Sequence, residues 1–412
     1  MKSRSQFFPS PQSPVPSIKT LRVLMLAPTP FFSDRGCHVR IYEEARALIE
    51  LGHKVELITY HLGRDMPGIT THRIPPIPWY RKLEAGPSWH KPYLDILLLF
   101  KALAVGRRFA PDLIHAHLHE GAFLGIFLKL LLRVPLLFDC QGSLTTEIVD
   151  HGFCRRESLL GRIFQVLERF INGGADCIIT SSTPGAAALV DLWKIPAGRV
   201  TPLIDGVNTD EFRPGDRDGA RRELALPDAV PVVAFLGLFN RYQGMDLLLE
   251  VIAGLRDKGT PVHFLLMGFP DGKYRRLAQK MGIGEMITFT GRVDYGEAAR
   301  HLAAADVAIS PKISLSEANG KLFNYLACGL PCLVFDTPIN REILGDCGVY
   351  ARYGDAADFT ALLVALLEDH QLRARLATAG RLKAEREYSW QGRGRELAVL
   401  YRRLLKEKDA PS

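Results

Sequence analysis

Cysteine is sparse and scattered in this chain of 412 residues. Cys37, Cys140, Cys154, Cys177, Cys328, Cys332 and Cys347 make an odd total of seven, with no C-x2-C pair. Cys328 and Cys332 stand four apart without a His or Cys companion. A zinc cluster or a disulfide framework is therefore disfavoured, and buried, reduced thiols are expected. Long apolar runs are missing too. The longest, 122–138, is broken by Lys129, Arg133 and Pro135, too short and too charged to span a bilayer. It reads as a helix over 120–132 followed by a strand over 135–139. Residues 1–19 are rich in Ser and Pro and lack the apolar core of a secretory signal, so a disordered tail is expected there. The triplet Asp139-Cys140-Gln141 is not D-x-D, so a metal-dependent reaction is not expected and no metal ligand is assigned.

What is present fits a soluble globular protein, 47% hydrophobic and 24% charged. The net charge of +7 is lopsided. Residues 1–205 hold 24 Lys+Arg against 18 Asp+Glu, and the rest hold 28 against 27. An excess of +6 on one half suggests an anionic partner there, a phosphorylated substrate or a membrane surface; ordinary surface charge is the alternative.

Two series of short apolar strands alternate with helices. The first has strands over 21–27, 55–60, 112–117, 135–140 and 176–182, with a helix over 38–51 closed by Gly52. The second has strands over 230–237, 262–268, 286–291, 306–311, 331–336 and 348–351. Helices over 244–257, 271–281, 295–304, 320–328 and 355–369 separate them. Nearly all-apolar strands of this kind belong to parallel sheets covered on both faces. The expected class is α/β: a tail (1–19), a Rossmann-like domain (20–204), a polar linker (205–229) and a second Rossmann-like domain (230–388). A final helix, 389–407, is expected to pack back on the first domain. Two doubly wound domains face each other across a cleft, and ligands bind beyond the carboxyl ends of the strands.

The stretch SEANGKLFNYLACGLPC (316–332) puts its polar residues between a buried strand and a buried helix. Helix N–H groups and the helix dipole favour an anion there. Gly320 allows a close approach, Lys321 adds a cation, and Glu317 and Asn324 suit hydroxyls on two parts of one ligand. The plainer alternative is a capped helix, with Asn319 as cap and Glu317 solvated. In the first half, the loop 27–40 carries Gly36 among Arg35, His38 and Arg40, though Arg40 could equally be a surface charge. His115 and His117 are read as pointing to opposite faces of their strand, so that only one faces the cleft; His117, nearer the carboxyl end, is the candidate. A core histidine is the alternative. Gln141 can orient hydroxyls but cannot act as acid or base. Loop 75–92 interleaves Trp79, Tyr80, Trp89 with Arg81, Lys82, Lys91, which suits a membrane interface or a lipid-phosphate acceptor, or else merely covers the core.

A-C-G-L-P after a polar cluster, in the second of two such domains, resembles the retaining GT-B glycosyltransferases (family 4-like, glycosyl transferases group 1). GHKVELIT (52–59), DLIHAH (112–117), IDGVNTDEFRP (204–214), TFTGRVDYGEAARHLAAADVAISP (288–311) and SWQG of the tail are similar to that family's segments in the same order. The resemblance covers nearly all of 20–405. It implies a cytoplasmic transferase, possible on the inner membrane face, that takes a sugar from a UDP- or GDP-linked donor to a glycan or lipid-linked acceptor. It implies retention, no cofactor and no nucleic acid, and a role in polysaccharide biosynthesis; peripheral membrane contact is the expectation carried by the residues of loop 75–92 themselves. Donor contacts would come from Gly36, Arg241, Gln243, Gly244, Gly268, Asn319, Gly320, Lys321 and Asn324. Arg35, His38 and Arg40 would face the acceptor, and Glu317, His117 and Gln141 the reacting sugar.

Departures from the pattern are specific. Where the family has E-x7-E, this chain has Ser316 and Asn324, with Glu317 displaced by one. Where it has G-R-L-x-x-x-K-G, Leu238 replaces the Arg and Gln243 the Lys in GLFNRYQG (237–244). Arg241 or Lys321 would have to supply the missing charge. A non-catalytic relative that binds a sugar nucleotide or a glycan as a partner subunit is the rival reading.

Overall fold

The computed structural model describes residues 20–83, 88–150, 154–315 and 318–409. The 1–19 tail and Glu317 lie outside the described residues. Chain order in the first lobe is β1 (Arg22–Ala27), α1 (Gly36–Glu50), β2 (Lys54–Thr59), β3 (Thr70–Arg73), α2 (Lys91–Phe109), β4 (Leu113–His117), α3 (Leu118–Leu132), β5 (Leu136–Cys140), α4 (Leu144–Asp150), α5 (Leu159–Gly174), β6 (Cys177–Thr180), α6 (Thr183–Asp191) and β7 (Val200–Pro202). The second lobe has α7 (Arg217–Glu223), β8 (Val232–Leu236), α8 (Met245–Asp257), β9 (His263–Met267), α9 (Gly272–Lys280), β10 (Ile287–Gly291), α10 (Ala298–Leu302), β11 (Val307–Ser310), α11 (Lys321–Ala327), β12 (Cys332–Phe335), α12 (Pro338–Leu344), β13 (Gly348–Ala351), α13 (Ala356–Glu368) and α14 (His370–Glu387). The last helix, α15 (Trp390–Asp409), crosses back and lies against α1.

Both sheets are parallel, in the orders β3-β2-β1-β4-β5-β6-β7 and β10-β9-β8-β11-β12-β13. Each reverses direction once, between β1 and β4 and between β8 and β11, which opens a crevice at those carboxyl ends. The strands serve two cores by simple alternation. In β1, Val23, Met25 and Ala27 join the layer with α1, while Leu24 and Leu26 join the layer with α2 and α3.

The edge strands β3 and β7 were not expected, because TTHR and VTP are short and carry no apolar run. The polar stretch 205–229, expected as a linker, holds α7. Arg221 on α7 is buried, and its Nη2 meets Asp306 at 2.6 Å while its Nε donates to the Ala304 carbonyl at 3.0 Å. One neutralised arginine packs a stretch that reads as solvent-exposed from composition. Among the described residues no helix is long and apolar enough to cross a membrane.

Candidate active site

The cleft between the lobes has a volume of about 330 Å³. Segments following β1, β4, β5 and β6 line one wall, and segments following β8, β9 and β11 line the other.

On the second-lobe wall, Lys321 begins α11. Its Nζ donates to Gln243 Oε1 at 2.6 Å and lies 4.3 Å from the centre of the Phe235 ring. The ammonium also sits against Gly237, where a Cβ would approach it to 2.8 Å. The cation thus stands beside the amide at position 243, and Gln243, Lys321, Gly320 and Asn324 share the cleft wall. Asn319 lines it too, but its side chain is a strut. Its Nδ2 donates to Ser310 Oγ and to Asn340 Oδ1, both at 3.0 Å.

Two expected donor residues are elsewhere. Arg241 is exposed on the turn before α8 and does not line the cleft. Gly244 is spent on packing, with φ +79° and a virtual Cβ 1.8 Å from the Pro311 carbonyl oxygen. Gly268 lines the cleft, and it also has a packing reason: a Cβ there would fall 1.8 Å from the Gly237 carbonyl.

The first-lobe wall begins at Gly36, the first residue of α1. Nothing lies within 4 Å of where its Cβ would be, so this glycine faces open cleft rather than protein. Arg35 lines the cleft and its Nη1 donates to the Leu83 carbonyl at 3.3 Å. His38 does not reach the cleft. It is buried, with Nε2 2.6 Å from Thr29 Oγ1 and Nδ1 accepting from the Ser33 N–H at 2.9 Å, so it braces the loop after β1. Burial, together with the nearby Arg35 and Arg292, holds its imidazole well below the ordinary value.

Beneath that wall lies a buried ionic cluster around Arg40. Its Nε donates to both oxygens of Asp139 at 3.0 Å, and its Nη2 is 3.0 Å from Glu44. Its Nη1 donates to the Leu203 carbonyl at 3.0 Å and pairs with Asp205. Arg40 is therefore neither a surface charge nor an uncommitted acceptor contact, although part of it borders the cleft. Burial raises the carboxyl of Asp139, but Arg40 and the His117 hydrogen bond outweigh that and hold it well below the usual carboxylate range. Burial dominates at Glu44 and Asp205, whose carboxyls are raised in spite of Arg40.

His115 and His117 share one face, contrary to the expectation of opposite faces. Their rings stack with centroids 4.3 Å apart. Side chains two residues apart on a strand point the same way. Neither lines the cleft. His117 Nδ1 bonds Asp139 at 3.0 Å, and His115 Nδ1 is 2.7 Å from Tyr401 Oη on α15. Burial lowers both imidazoles. Gln141 does reach the cleft, and its Nε2 donates to Asp139 at 2.7 Å. His117 thus supports Gln141 from below, through Asp139. The ligand atoms of Glu44, His115, His117 and Asp139 lie within 4.8 Å of one another. A guanidinium already sits among them and supplies the positive charge that the two carboxylates require. Contrary to the expectation of no acidic triplet, the chain does hold a D-x-D, Asp216-Arg217-Asp218, but it lies at the start of α7 outside the cleft lining, where Asp216 accepts from the Gly219 N–H.

Tyr80 and Lys91 of loop 75–92 line the first-lobe wall, together with Tyr60 and Glu120, which escaped the sequence reading because neither has a local signature. Lys91 pairs with Glu120, and Tyr60 Oη donates to Asp95 at 2.5 Å. Burial, with Glu120 beside it, pushes Asp95 up to about 7. On the other wall, Lys312 donates to the Ala318 carbonyl at 2.8 Å.

Comparisons with known proteins agree with this geometry. The profile described as "Glycosyl transferase 4-like domain" matches residues 35–206, and that described as "Glycosyl transferases group 1" matches 216–383. A D-inositol 3-phosphate glycosyltransferase of Geodermatophilus obscurus is 28% identical over 402 residues, covering 92% of this chain and 86% of its own. The solved sucrose-phosphate synthase from Thermosynechococcus elongatus superposes with a TM-score of 0.80 at 21% identity, over 94% of this chain and 100% of that one. Anabaena HepE, solved in complex with UDP and glucose, gives 0.75 at 14%, over 93% and 100%.

Two parallel-sheet lobes with a cleft at both switch points define the GT-B class, and this protein is a glycosyltransferase of that fold. More particularly, the chain belongs to the group 1 glycosyl transferases, with a 4-like first domain.

Proposed function

We propose that the protein transfers a sugar from a UDP- or GDP-linked donor to a glycan or lipid-linked acceptor, with retention and without a metal ion. The observation that carries this reading is Lys321 Nζ held 2.6 Å from Gln243 Oε1 on the cleft wall. The cation missing at 243 is restored from α11, beside the backbone N–H groups at Gly320. Growing charge on a diphosphate leaving group needs such compensation. Asn324 suits the ribose hydroxyls, and Glu317 is assigned to the donor sugar. Gln141, braced by Asp139, orients the sugar, while Gly36 leaves room for phosphates and Arg35 faces the acceptor.

In the step proposed, the acceptor hydroxyl oxygen attacks the anomeric carbon on the face the diphosphate leaves. The anomeric C–O bond to phosphate breaks, and the hydroxyl proton passes to a phosphate oxygen. No protein base is needed, which suits a wall where His117 is shut away. The exposed Trp79 and Trp89 support membrane contact through loop 75–92, on the cytoplasmic side. Polysaccharide or lipid-linked glycan assembly is the process this reaction fits.

The second reading, a non-catalytic sugar-nucleotide or glycan binder, is favoured by Leu238, Gln243 and Asn324 all lining the cleft in place of the family's charged residues. A panel of nucleotide sugars separates the two. The matching donor raises the melting temperature by mass action and is slowly hydrolysed if the protein is an enzyme. Stabilisation with neither hydrolysis nor transfer to any lipid or glycan extract selects the binder.

A further inference from the structure

One face of the first sheet is covered by α2, α3 and α5, which touch in that order. Their inward residues, such as Leu98, Leu124 and Ile171, fill the core. Their outward residues are apolar as well. On α5, Leu159, Ile163, Val166 and Phe170 form one stripe at helical spacing, with Leu159 77% and Val166 70% exposed. Leu130 on α3 is 68% exposed, and Phe100 on α2 is 65% exposed. The Phe123 ring centre lies 5.2 Å from that of Phe127 and 6.4 Å from that of Phe170, which joins the α3 and α5 portions. Nine of the 15 exposed large apolar side chains among the described residues sit on these three helices, so the surface is a patch rather than a scatter.

Charge on the same helices is sorted by direction. Each carries one acid, and each acid is taken up by a partner. Asp95 accepts from Tyr60, Glu120 pairs with Lys91, and Glu168 accepts from the Thr145 N–H and hydroxyl. Arg107, Arg162 and Arg169 are exposed. Arg162 and Arg169 follow one edge of the α5 stripe. The face therefore presents hydrocarbon edged by guanidinium groups, with its carboxylates withdrawn.

We propose that this face docks on an anionic phospholipid bilayer. The apolar stripe enters the headgroup–acyl boundary and the arginines meet lipid phosphates. A second copy of the chain is the poorer occupant, because this face offers it exposed arginines and no uncommitted carboxylate on α2, α3 or α5 to pair with them. Loop 75–92 runs into the start of α2, and α2 and α3 both begin at cleft residues, Lys91 and Leu118. Docking places the acceptor wall near the lipid, so the link to a lipid-linked acceptor rests on the proposed transfer, while the docking itself does not.

Co-sedimentation of the whole chain with vesicles tests it, without donor or acceptor, so its failure is distinct from failure of the transferase reading. Phosphatidylglycerol–phosphatidylcholine vesicles are expected to bind the protein about tenfold or more better than phosphatidylcholine alone. The pair Ile163→Glu with Val166→Glu is expected to lose about tenfold or more of that binding, with an unchanged melting temperature because both side chains are exposed. Arg162→Glu with Arg169→Glu should lose binding to the anionic vesicles and gain none to neutral ones. No binding to either vesicle, equal binding to both, or unchanged binding by both variants overturns the proposal. So does a concentration-dependent dimer that the Ile163/Val166 variant abolishes while vesicle binding is absent.

Discussion

Asp34 on the first lobe meets Arg292 on the second at 2.5 Å, and the same carboxylate takes Arg64 of its own lobe at 2.6 Å and the Tyr295 N–H at 3.0 Å. One acid thus ties the loop after β1 to the segment after β10 at the rim of the cleft. Burial raises its carboxyl, but the Arg64 and Arg292 hydrogen bonds outweigh that and lower it. Asp34→Asn leaves two arginines facing a neutral amide and is expected to cost about 1–3 kcal/mol. The melting temperature should fall, and the radius of gyration from X-ray scattering should rise without donor. If neither moves, this contact does not hold the lobes together.

Arg40 pairs with three carboxyl groups from three segments. Arg40→Met strands Asp139, Glu44 and Asp205 in the interior, with an expected loss on the order of 3–5 kcal/mol. Arg40→Lys should recover little of it, since an ammonium cannot fork to three acids. Denaturant unfolding of both variants checks this. Full stability of the Lys variant would show that charge alone suffices.

Glu43 on α1 accepts from Tyr295 Oη at 3.0 Å across the lobes, and burial pushes its carboxyl from 4.5 up to about 7. A raised carboxyl contributes stability that is complete below pH ~4.5 and lost as pH rises through ~7. The span is on the order of 3 kcal/mol. Glu43→Gln is expected to flatten the fall in melting temperature over that window. An identical pH profile in the variant would remove Glu43 as its source.

Two glycines separate ligand space from packing. Gly36→Ala puts a methyl into open cleft, so stability should hold within ~0.5 kcal/mol while donor or acceptor binding weakens. Gly244→Ala forces a Cβ against the Pro311 carbonyl at positive φ, and should cost more than ~1 kcal/mol. Thermal melts with and without UDP-sugar distinguish them; equal destabilisation by both changes would contradict the assignment of Gly36.

Apolar runs such as LRVLMLA and VHFLLMG were legible as strands because buried parallel strands need little else. β3 and β7 were hidden because edge strands tolerate polar residues. Lys321 could be placed in the cleft from sequence because it follows Gly320 at the amino end of a helix behind a strand. Arg241 was misplaced because a loop's sequence does not show which way its side chains turn. The Arg40 cluster joins α1, β5 and the chain at Asp205, so its pairing depends on tertiary approach. His115 and His117 were recoverable from strand parity alone, since i and i+2 share a face.

Binding of UDP and GDP, each paired with its nucleoside, to wild type and Lys321→Ala by calorimetry bears most directly on the site. With Lys321 on the diphosphate, the variant should lose about tenfold or more in affinity for the diphosphate that binds, with nucleoside affinity unchanged. Equal loss for nucleotide and nucleoside, or no loss for either, would contradict a phosphate role for Lys321.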